Sequence, residues 1–145
     1  MLVVVNPHEF EFHYKTFCPY CKRTERYLLN PLELKGIIRL VRVNIDLMPN
    51  IGLINENIRF SRYTGLGDKS APILIDRKCG LYFIPMQSKG EKEDVKKAIQ
   101  ELADSLLFHL FKSVRVRDGS GVRFLRPEDV KDPLIMEAWG MSYDL

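Results

Sequence analysis

Two cysteines in the segment Cys18-Pro19-Tyr20-Cys21 have the residue types and the spacing of a thiol–disulfide site. The alternating apolar and polar residues of Glu9–Tyr14 predict a half-buried strand before them, and a helical pattern follows them. A cysteine at a helix N-terminus faces unpaired backbone N–H groups and the positive end of the helix dipole, and both stabilise the thiolate. Because only the thiolate attacks a disulfide, Cys18 is the predicted nucleophile. Cys21 follows one helical turn later and can close the ring, and Pro19 suits an early helical position that needs no N–H donor.

The cysteine pair has two alternative interpretations. Half of a zinc site would need a second pair of ligands at suitable spacing. The other candidates, Cys79 with His8, His13 and His109, are not spaced as such a pair, so we predict no metal ligands. A pair of buried structural cysteines is the second alternative. We favour the thiol–disulfide site over both, and we interpret Cys79 as a packing cysteine at the far end of the sheet.

The segment Lys15–Cys21 after a predicted strand resembles the active-site segment of dithiol glutaredoxins, within the thioredoxin superfamily. A second likeness is Ser70-Ala71-Pro72 before an apolar strand. Glutaredoxins have Thr-Val-Pro at this place, with a cis proline beside the cysteine pair, and cis X–Pro bonds are uncommon enough to mark a position. The resemblance covers roughly residues 9–110. It implies a thioredoxin fold, in which helices flank a central mixed four-stranded sheet.

The resemblance also implies roles for residues around the cysteines. Lys15 matches a family lysine that pairs with a glutathione carboxylate, and a solvated lysine at a strand end is the alternative. Tyr20 either flanks the bound thiol or shields the cysteine pair. Pro72 is expected to shape the substrate groove, and the backbone around Ala71 to pair with an incoming chain. The predicted substrate-binding residues are Lys15, Pro19, Tyr20, Ser70, Ala71 and Pro72.

The sequence departs from the family at one half of the glutathione pocket. Glutaredoxins usually carry a Gly-Gly-x-x-Asp-like stretch after the third and fourth strands, which holds the γ-glutamyl end of glutathione. Here residues 79–85 read Cys-Gly-Leu-Tyr-Phe-Ile-Pro, with no paired glycine and no following acidic residue. We therefore predict that glutathione is not the sole electron donor. The two donors considered are glutathione, as a co-substrate, and a thioredoxin-reductase-type enzyme. We expect no resident cofactor.

The helices and strands that position the site are predicted from the spacing of apolar residues and from the positions at which that spacing is interrupted. The helix after the cysteines should break or kink near Asn30–Pro31, because a mid-helix proline removes a hydrogen bond and clashes. The apolar run 37–45 predicts a strand buried on much of both faces. A helix over 49–63, a loop at 64–68 and a hairpin of strands 73–75 and 81–84 come next. The last helix has a capping box and one apolar stripe, formed by Ser88 with Glu91 and by Val95, Ile99, Leu102, Leu106 and Leu110. We expect its Phe108 and Phe111 in the core.

This order of strands and helices predicts an α/β domain over residues 1–111 with an extension over 112–145. In the extension, 114–117 and 122–124 flank Asp-Gly-Ser-Gly, which indicates a hairpin, and 134–139 predicts a short helix. So small a segment cannot fold alone, so we expect it to dock on the main domain. It would either select partners or seal an exposed edge. The expected apolar contacts are Phe124, Leu134, Ile135 and Trp139. The arginines Arg115, Arg117, Arg123 and Arg126 are expected on a solvated basic face opposite Val114, Val116, Val122 and Phe124.

Composition limits the class of protein. The chain has 145 residues, of which 46% are hydrophobic and 28% charged, as in ordinary globular domains. A net charge of +3 is too small to predict nucleic-acid binding. No apolar run reaches the roughly 18 residues of a membrane span, and there is no signal-peptide pattern and no secreted disulfide framework. We expect a cytoplasmic protein without a membrane partner, and its oligomeric state is left open.

The predicted function is that of a thiol–disulfide oxidoreductase acting on protein or small-thiol disulfides through Cys18 and Cys21. The alternative is a glutaredoxin-like binding or adaptor module that holds an iron–sulfur cluster through Cys18 and an external thiol. A CPYC pair in place of a single cysteine favours the enzyme.

Overall fold

The computed structural model describes residues 2–47, 51–63, 70–84 and 92–130, with the backbone alone for residues 63 and 92–100. Two sheets organise this part of the chain, one of four strands and one of three. In chain order the elements are β1 (Val3–Val4), β2 (His8–Tyr14), α1 (Pro19–Thr24), a π-helical segment (Glu25–Leu29), α2 (Asn30–Leu34), β3 (Ile38–Asn44), α3 (Ile51–Tyr63), β4 (Ile73–Asp76), β5 (Leu81–Phe83), α4 (Lys92–Ser113), β6 (Arg115–Asp118), β7 (Gly121–Phe124) and α5 (Pro127–Val130).

The four-stranded sheet has the order β3-β2-β4-β5 and mixed strand directions. β2 and β3 are parallel, which their helical crossover allows, and β4 runs antiparallel to both β2 and β5. Along β2, Phe10 and Phe12 are 1% and 2% exposed, whereas Glu9 and Glu11 are less buried; His13, after Phe12, is 0% exposed, so the alternation ends there. The predicted mixed α/β arrangement, the helix over Ile51–Tyr63 and the β4–β5 hairpin are confirmed.

The strand β3 lies at an edge of this sheet, so the prediction that it is buried on much of both faces is wrong. Ile38 and Val43 are buried, whereas Val41 and Arg42 are exposed. Its continuous apolar character does not show that, within the described residues, a strand pairs with β3 on one side only. The Arg42 guanidinium instead donates hydrogen bonds to Glu25 at 2.6 Å and to Glu33 at 2.9 Å, which ties the preceding helical segment to the strand.

The helix after the cysteine pair continues through Pro31. Residues Glu25–Leu29 are π-helical and Pro31 follows in the first turn of α2, so the proline lies where the helix changes from one hydrogen-bond register to another. A π-helical turn also changes which carbonyl lies opposite the proline ring. The disturbance expected near Asn30–Pro31 therefore takes the form of a change in helical register and not of a break.

The long helix α4 covers the sheet with its predicted apolar stripe. Leu102, Leu106 and Leu110 are between 0% and 3% exposed and belong to one core with Phe10 and Phe12, so the stripe is confirmed for these three. The remaining stripe and capping residues, Val95, Ile99, Ser88 and Glu91, lie outside the described side chains.

The two phenylalanines of α4 differ. Phe111 packs at the margin of the core, but Phe108 is 62% exposed, so its expected place in the core is wrong. Phe108 lies off the apolar stripe of the helix and carries the Lys112 ammonium 3.7 Å above its ring. This cation–π contact gives the exposed Phe108 ring a favourable interaction with a neighbouring side chain.

The three-stranded sheet joins the two ends of the described chain in the order β1-β6-β7. The two-residue strand β1 pairs with β6 and is too short to be recognised from periodicity. The predicted hairpin is confirmed as β6–β7. It packs on the same core as the main sheet, because Val114, Val116 and Leu125 are all 0–2% exposed within that core.

The faces of this hairpin differ from the prediction. Asp118 pairs with Gly121, so Val116 pairs with Arg123, and directly paired residues share a face. Val122 and Phe124 are therefore on the outer face, 49% and 55% exposed. The prediction of a single basic face is wrong, and so is the prediction that Phe124 makes an apolar contact with the main domain. The register of the hairpin decides which side chains point outward, and it places Phe124 on the outer face.

Arg123 has a different use. It donates hydrogen bonds to Asp118 at 2.8 Å and to Asp129 at 2.7 Å, so it links the hairpin to α5. The hydrogen bond from Arg123 lowers the pKa of Asp129. The other predicted contact residues of the extension, Leu134, Ile135 and Trp139, lie outside the described residues.

Candidate functional site

Cys18 and Cys21 form a disulfide at the N-terminus of α1, with their Cα atoms 5.2 Å apart. Cys18 is the N-cap residue in an extended conformation, and its Sγ accepts the backbone N–H of Cys21 at 3.1 Å. Pro19 occupies the first helical turn, as predicted. Cys18 is 8% exposed and Cys21 is 3% exposed, so the first cysteine is the more accessible of the two. The backbone donor that a thiolate at this position needs is therefore already aimed at Cys18.

The segment Ser70-Ala71-Pro72 lies beside the disulfide. Because β4 is the neighbour of β2, the residues before β4 reach the end of the sheet at which β2 leads to the cysteines. The Ala71 carbonyl oxygen is 4.0 Å from Cys18 Sγ, and the Ala71–Pro72 bond is cis, as the resemblance implies. Ala71 is half-buried and lies two residues before the first residue of β4. The two motifs singled out in the sequence thus meet at one place.

Asn57 in α3 holds this segment, and sequence reasoning missed it. Its amide donates to the Ser70 carbonyl at 2.9 Å, and its Oδ1 accepts the Ser70 N–H at 3.0 Å and the Ser61 hydroxyl at 3.2 Å. Asn57 is 2% exposed and Ser70 is 6% exposed. An asparagine inside a helix, where its propensity is poor, is the only signal in the sequence.

The loop before the cysteines is held by residues at and just after the end of the adjacent parallel strand β3. The backbone N–H of Thr16 donates to Asp46 Oδ2 at 3.2 Å, and the Asn44 amide donates to the Thr16 hydroxyl at 3.1 Å. Parallel strands end at the same edge, which places these polar side chains there. Lys15 directly follows β2 in this loop and is half-buried. The loop is therefore anchored on one side of the disulfide, and the Ser70 segment is anchored on the other.

Two exposed apolar residues flank Cys18 along the chain. Phe17, the residue before Cys18, is 91% exposed, and Pro19 is also exposed. Tyr20 is half-buried and packs against the core, which places part of its ring away from solvent. An exposed phenylalanine next to the reactive sulfur offers a contact to an apolar side chain of a bound partner.

Cys79 lies at the opposite end of the sheet, in the turn between β4 and β5. It is exposed, so its interpretation as a packing cysteine is wrong, because the turn extends beyond the sheet.

Asp76 lies beside this turn in a group of possible metal ligands. Burial raises the pKa of Asp76, but hydrogen bonds from Cys79, His8 and His109 outweigh this effect and bring the pKa to about 2. Among the described residues, these four side chains form a group able to hold a metal ion. The four residues come from three distant parts of the chain, so no metal-ligand motif with a characteristic spacing could predict this group.

The chain matches no protein-family model, no curated protein and no solved structure. Within the described ranges, no helix combines the length and the apolar character needed to cross a membrane.

Proposed function

We propose that this protein is a thiol–disulfide oxidoreductase in which Cys18 and Cys21 alternate between dithiol and disulfide. One observation carries the proposal: the disulfide sits at the N-cap of a helix, with the Cys21 N–H 3.1 Å from Cys18 Sγ. That donor stabilises negative charge on sulfur, which is what an attacking or a leaving thiolate requires.

The reaction takes two exchange steps. In the first, the Cys18 thiolate attacks one sulfur of the substrate disulfide, forms a mixed disulfide and releases the other sulfur as a thiolate. In the second, the Cys21 thiolate attacks Cys18 Sγ, releases the second substrate thiolate and leaves the Cys18–Cys21 disulfide. The substrate gains two electrons, and the two released thiolates take up protons from solvent according to their pKa values. Two thiols of an external donor then reduce the protein disulfide.

The proposal extends to the thioredoxin fold and to substrate binding. The strand order β3-β2-β4-β5, with its parallel β2–β3 pair, supports that fold. Ala71 precedes the β4 ladder and lies 4.0 Å from Cys18 Sγ, so an extended substrate segment bound there would bring its disulfide to the nucleophile. The exposed Phe17 favours protein disulfides as substrates.

The electron donor is a thioredoxin-reductase-type enzyme as well as glutathione. The Gly-Gly-x-x-Asp half of a glutathione pocket is missing from the sequence. Losing a charge-assisted contact weakens binding by about 1.5–3 kcal/mol, which is roughly one to two decades in affinity. Steady-state kinetics with the two donors compare them directly, and a glutathione affinity equal to that of full-pocket glutaredoxins would contradict this assignment.

Single-cysteine variants test the proposed function. Cys18→Ser should abolish disulfide reduction, because it removes the nucleophile. Cys21→Ser should trap mixed disulfides through Cys18 and retain partial, glutathione-dependent activity. Lys78→Ser is the control and should reduce disulfides like the unaltered protein, since the exposed Lys78 lies in the β4–β5 turn at the other end of the sheet.

The measurements are turnover of a small disulfide and mass spectrometry of trapped adducts. Trapping through Cys21 in the Cys18→Ser variant would reverse the order of the two steps. A protein that reduces no disulfide and is coloured by an iron–sulfur cluster would overturn the enzyme in favour of a cluster-binding module.

A further inference from the structure

Four metal-binding side chains from three parts of the fold converge at the end of the sheet opposite Cys18 and Cys21. His8 begins β2, Asp76 ends β4, Cys79 lies in the turn that follows, and His109 lies in α4. One ligand atom from each residue falls within 4.8 Å of all the others. We propose that these four side chains bind one Zn²⁺ ion.

Three of the ligands already share one point. His8 Nε2 lies 2.6 Å from Asp76 Oδ2, and His109 Nε2 lies 2.7 Å from the same oxygen. The Cys79 backbone N–H donates to the other carboxylate oxygen at 3.1 Å, which holds the turn against Asp76. Each contact is a hydrogen bond when Nε2 of the neutral imidazole carries the proton. With the proton on Nδ1, the same Nε2 offers an electron pair to a metal ion, so the geometry that places both rings on one carboxylate oxygen also places two nitrogen ligands beside an oxygen ligand.

The ligand types favour Zn²⁺ over Mg²⁺ and Ca²⁺. Imidazole and thiolate ligands suit Zn²⁺, whereas Mg²⁺ and Ca²⁺ prefer sites made of oxygen alone. Tetrahedral Zn²⁺ with bonds of about 2.0–2.3 Å separates its ligand atoms by roughly 3.3–3.8 Å. The observed contacts of 2.6 and 2.7 Å, between nitrogen and oxygen atoms, must therefore open by roughly 0.6–0.9 Å, and the 4.8 Å limit must close by roughly 1.0–1.5 Å. Rotations about side-chain bonds produce movements of this size.

The surroundings favour an ordered site with one open side. His8 is 7% exposed and Asp76 is 0% exposed. The ring of Phe10 lies 5.0 Å from that of His8, and the ring of Phe83 lies 5.5 Å from that of His109, so apolar walls restrict water. The exposed Cys79 occupies the open side, which gives an ion a path of entry. Four protein ligands leave no coordination position for substrate, so the ion would be structural and would tie β2, the β4–β5 turn and α4 together.

The experiment uses the full chain carrying Cys18→Ser and Cys21→Ser, because a reduced cysteine pair would itself bind zinc. Its result is therefore independent of the proposed redox function. Calorimetric titration with Zn²⁺ should give one ion per chain, and Zn²⁺ should raise the melting temperature. Co²⁺ should give the absorption bands of a tetrahedral site together with thiolate-to-metal charge transfer.

Variants of the ligands complete the test. In this background, Cys79→Ser should remove the charge-transfer band, and both Cys79→Ser and His109→Gln should lower the affinity by at least the roughly 10–100-fold that outer-shell changes cost. Lys78→Ser, an exposed neighbour in the same turn, should keep the band and the affinity. Cys79 is exposed, so its variant should fold even if the histidine variant does not. The absence of a one-to-one complex, an octahedral Co²⁺ spectrum without a thiolate band, or an affinity unchanged in Cys79→Ser would each overturn the site.

Discussion

Replacing Asn57 by alanine should destabilise the protein and slow disulfide reduction, although Asn57 does not touch either cysteine in the described structure. The side chain makes two hydrogen bonds to the backbone of Ser70, and that residue precedes the Ala71 carbonyl beside Cys18. Without them the segment loses its attachment to α3. Asn57 is a positioning residue in this interpretation.

The magnitude follows from the burial of both partners. Removing the partner of a buried polar group costs about 1–3 kcal/mol, so two such bonds predict a loss of about 2–6 kcal/mol. Alanine is a better helix former than asparagine and returns about 0.5–0.7 kcal/mol. The expected net loss is about 1.5–5 kcal/mol, a large part of the roughly 5–15 kcal/mol by which domains are stable.

Urea unfolding measures this loss, and Asn55→Ala is the matched control. Asn55 lies in the same helix and is exposed, so its replacement brings the same gain in propensity without breaking a buried contact. Turnover of a small disulfide, expressed per folded molecule, should fall for Asn57→Ala and stay constant for Asn55→Ala. If the unfolding free energies of the two variants agree within about 0.5 kcal/mol, the range of neutral surface substitutions, the reasoning is refuted.

Three further predictions concern other parts of the molecule. Val116→Ala should cost about 1.5–3 kcal/mol in urea unfolding and Val122→Ala much less, because the first side chain is 0% and the second 49% exposed; equal losses would contradict the assigned hairpin faces. A hydrogen bond from Arg77 lowers the pKa of Glu11 below its usual 4.5. The Glu11–Arg77 pair therefore contributes fully to stability above pH 4.5, and this contribution is lost as the pH falls through the lower pKa of the folded state. Glu11→Gln should therefore flatten the acid limb of the unfolding free energy against pH, and an unchanged limb would speak against the ion pair. Phe17→Ala should raise KM for a protein disulfide and leave small-disulfide turnover unchanged, and an equal effect on both substrates would exclude a docking role.

Local spacing in the sequence was enough to predict most elements. The two-residue period of β2, the CPYC segment at a helix start and the two hairpins depend on residues close together in the chain, and each is present. The Ser70-Ala71-Pro72 segment lies beside Cys18, and its Ala71–Pro72 bond is cis, as predicted. These features could be predicted from the sequence because the interactions that specify them are made within one element or between two neighbouring ones.

Burial and partner choice needed the tertiary structure. The position of β3 at an edge of the sheet cannot be predicted from its apolar run. Nor can the face on which each arginine of the last hairpin lies be predicted without the register of the turn. The hydrogen bonds of Asn57 to Ser70 depend on how α3 lies against the segment before β4.

The His8, Asp76, Cys79 and His109 cluster is the clearest case. His8 and Asp76 are 68 positions apart along the chain, and Asp76 and His109 are 33 apart, so no local motif joins them. Their side chains meet because the antiparallel pairing of β2 with β4 brings the start of one strand to the end of the other, and α4 packs across both. Sequence determined which residues could ligate, and strand order and register determined which of them stand within reach of one another.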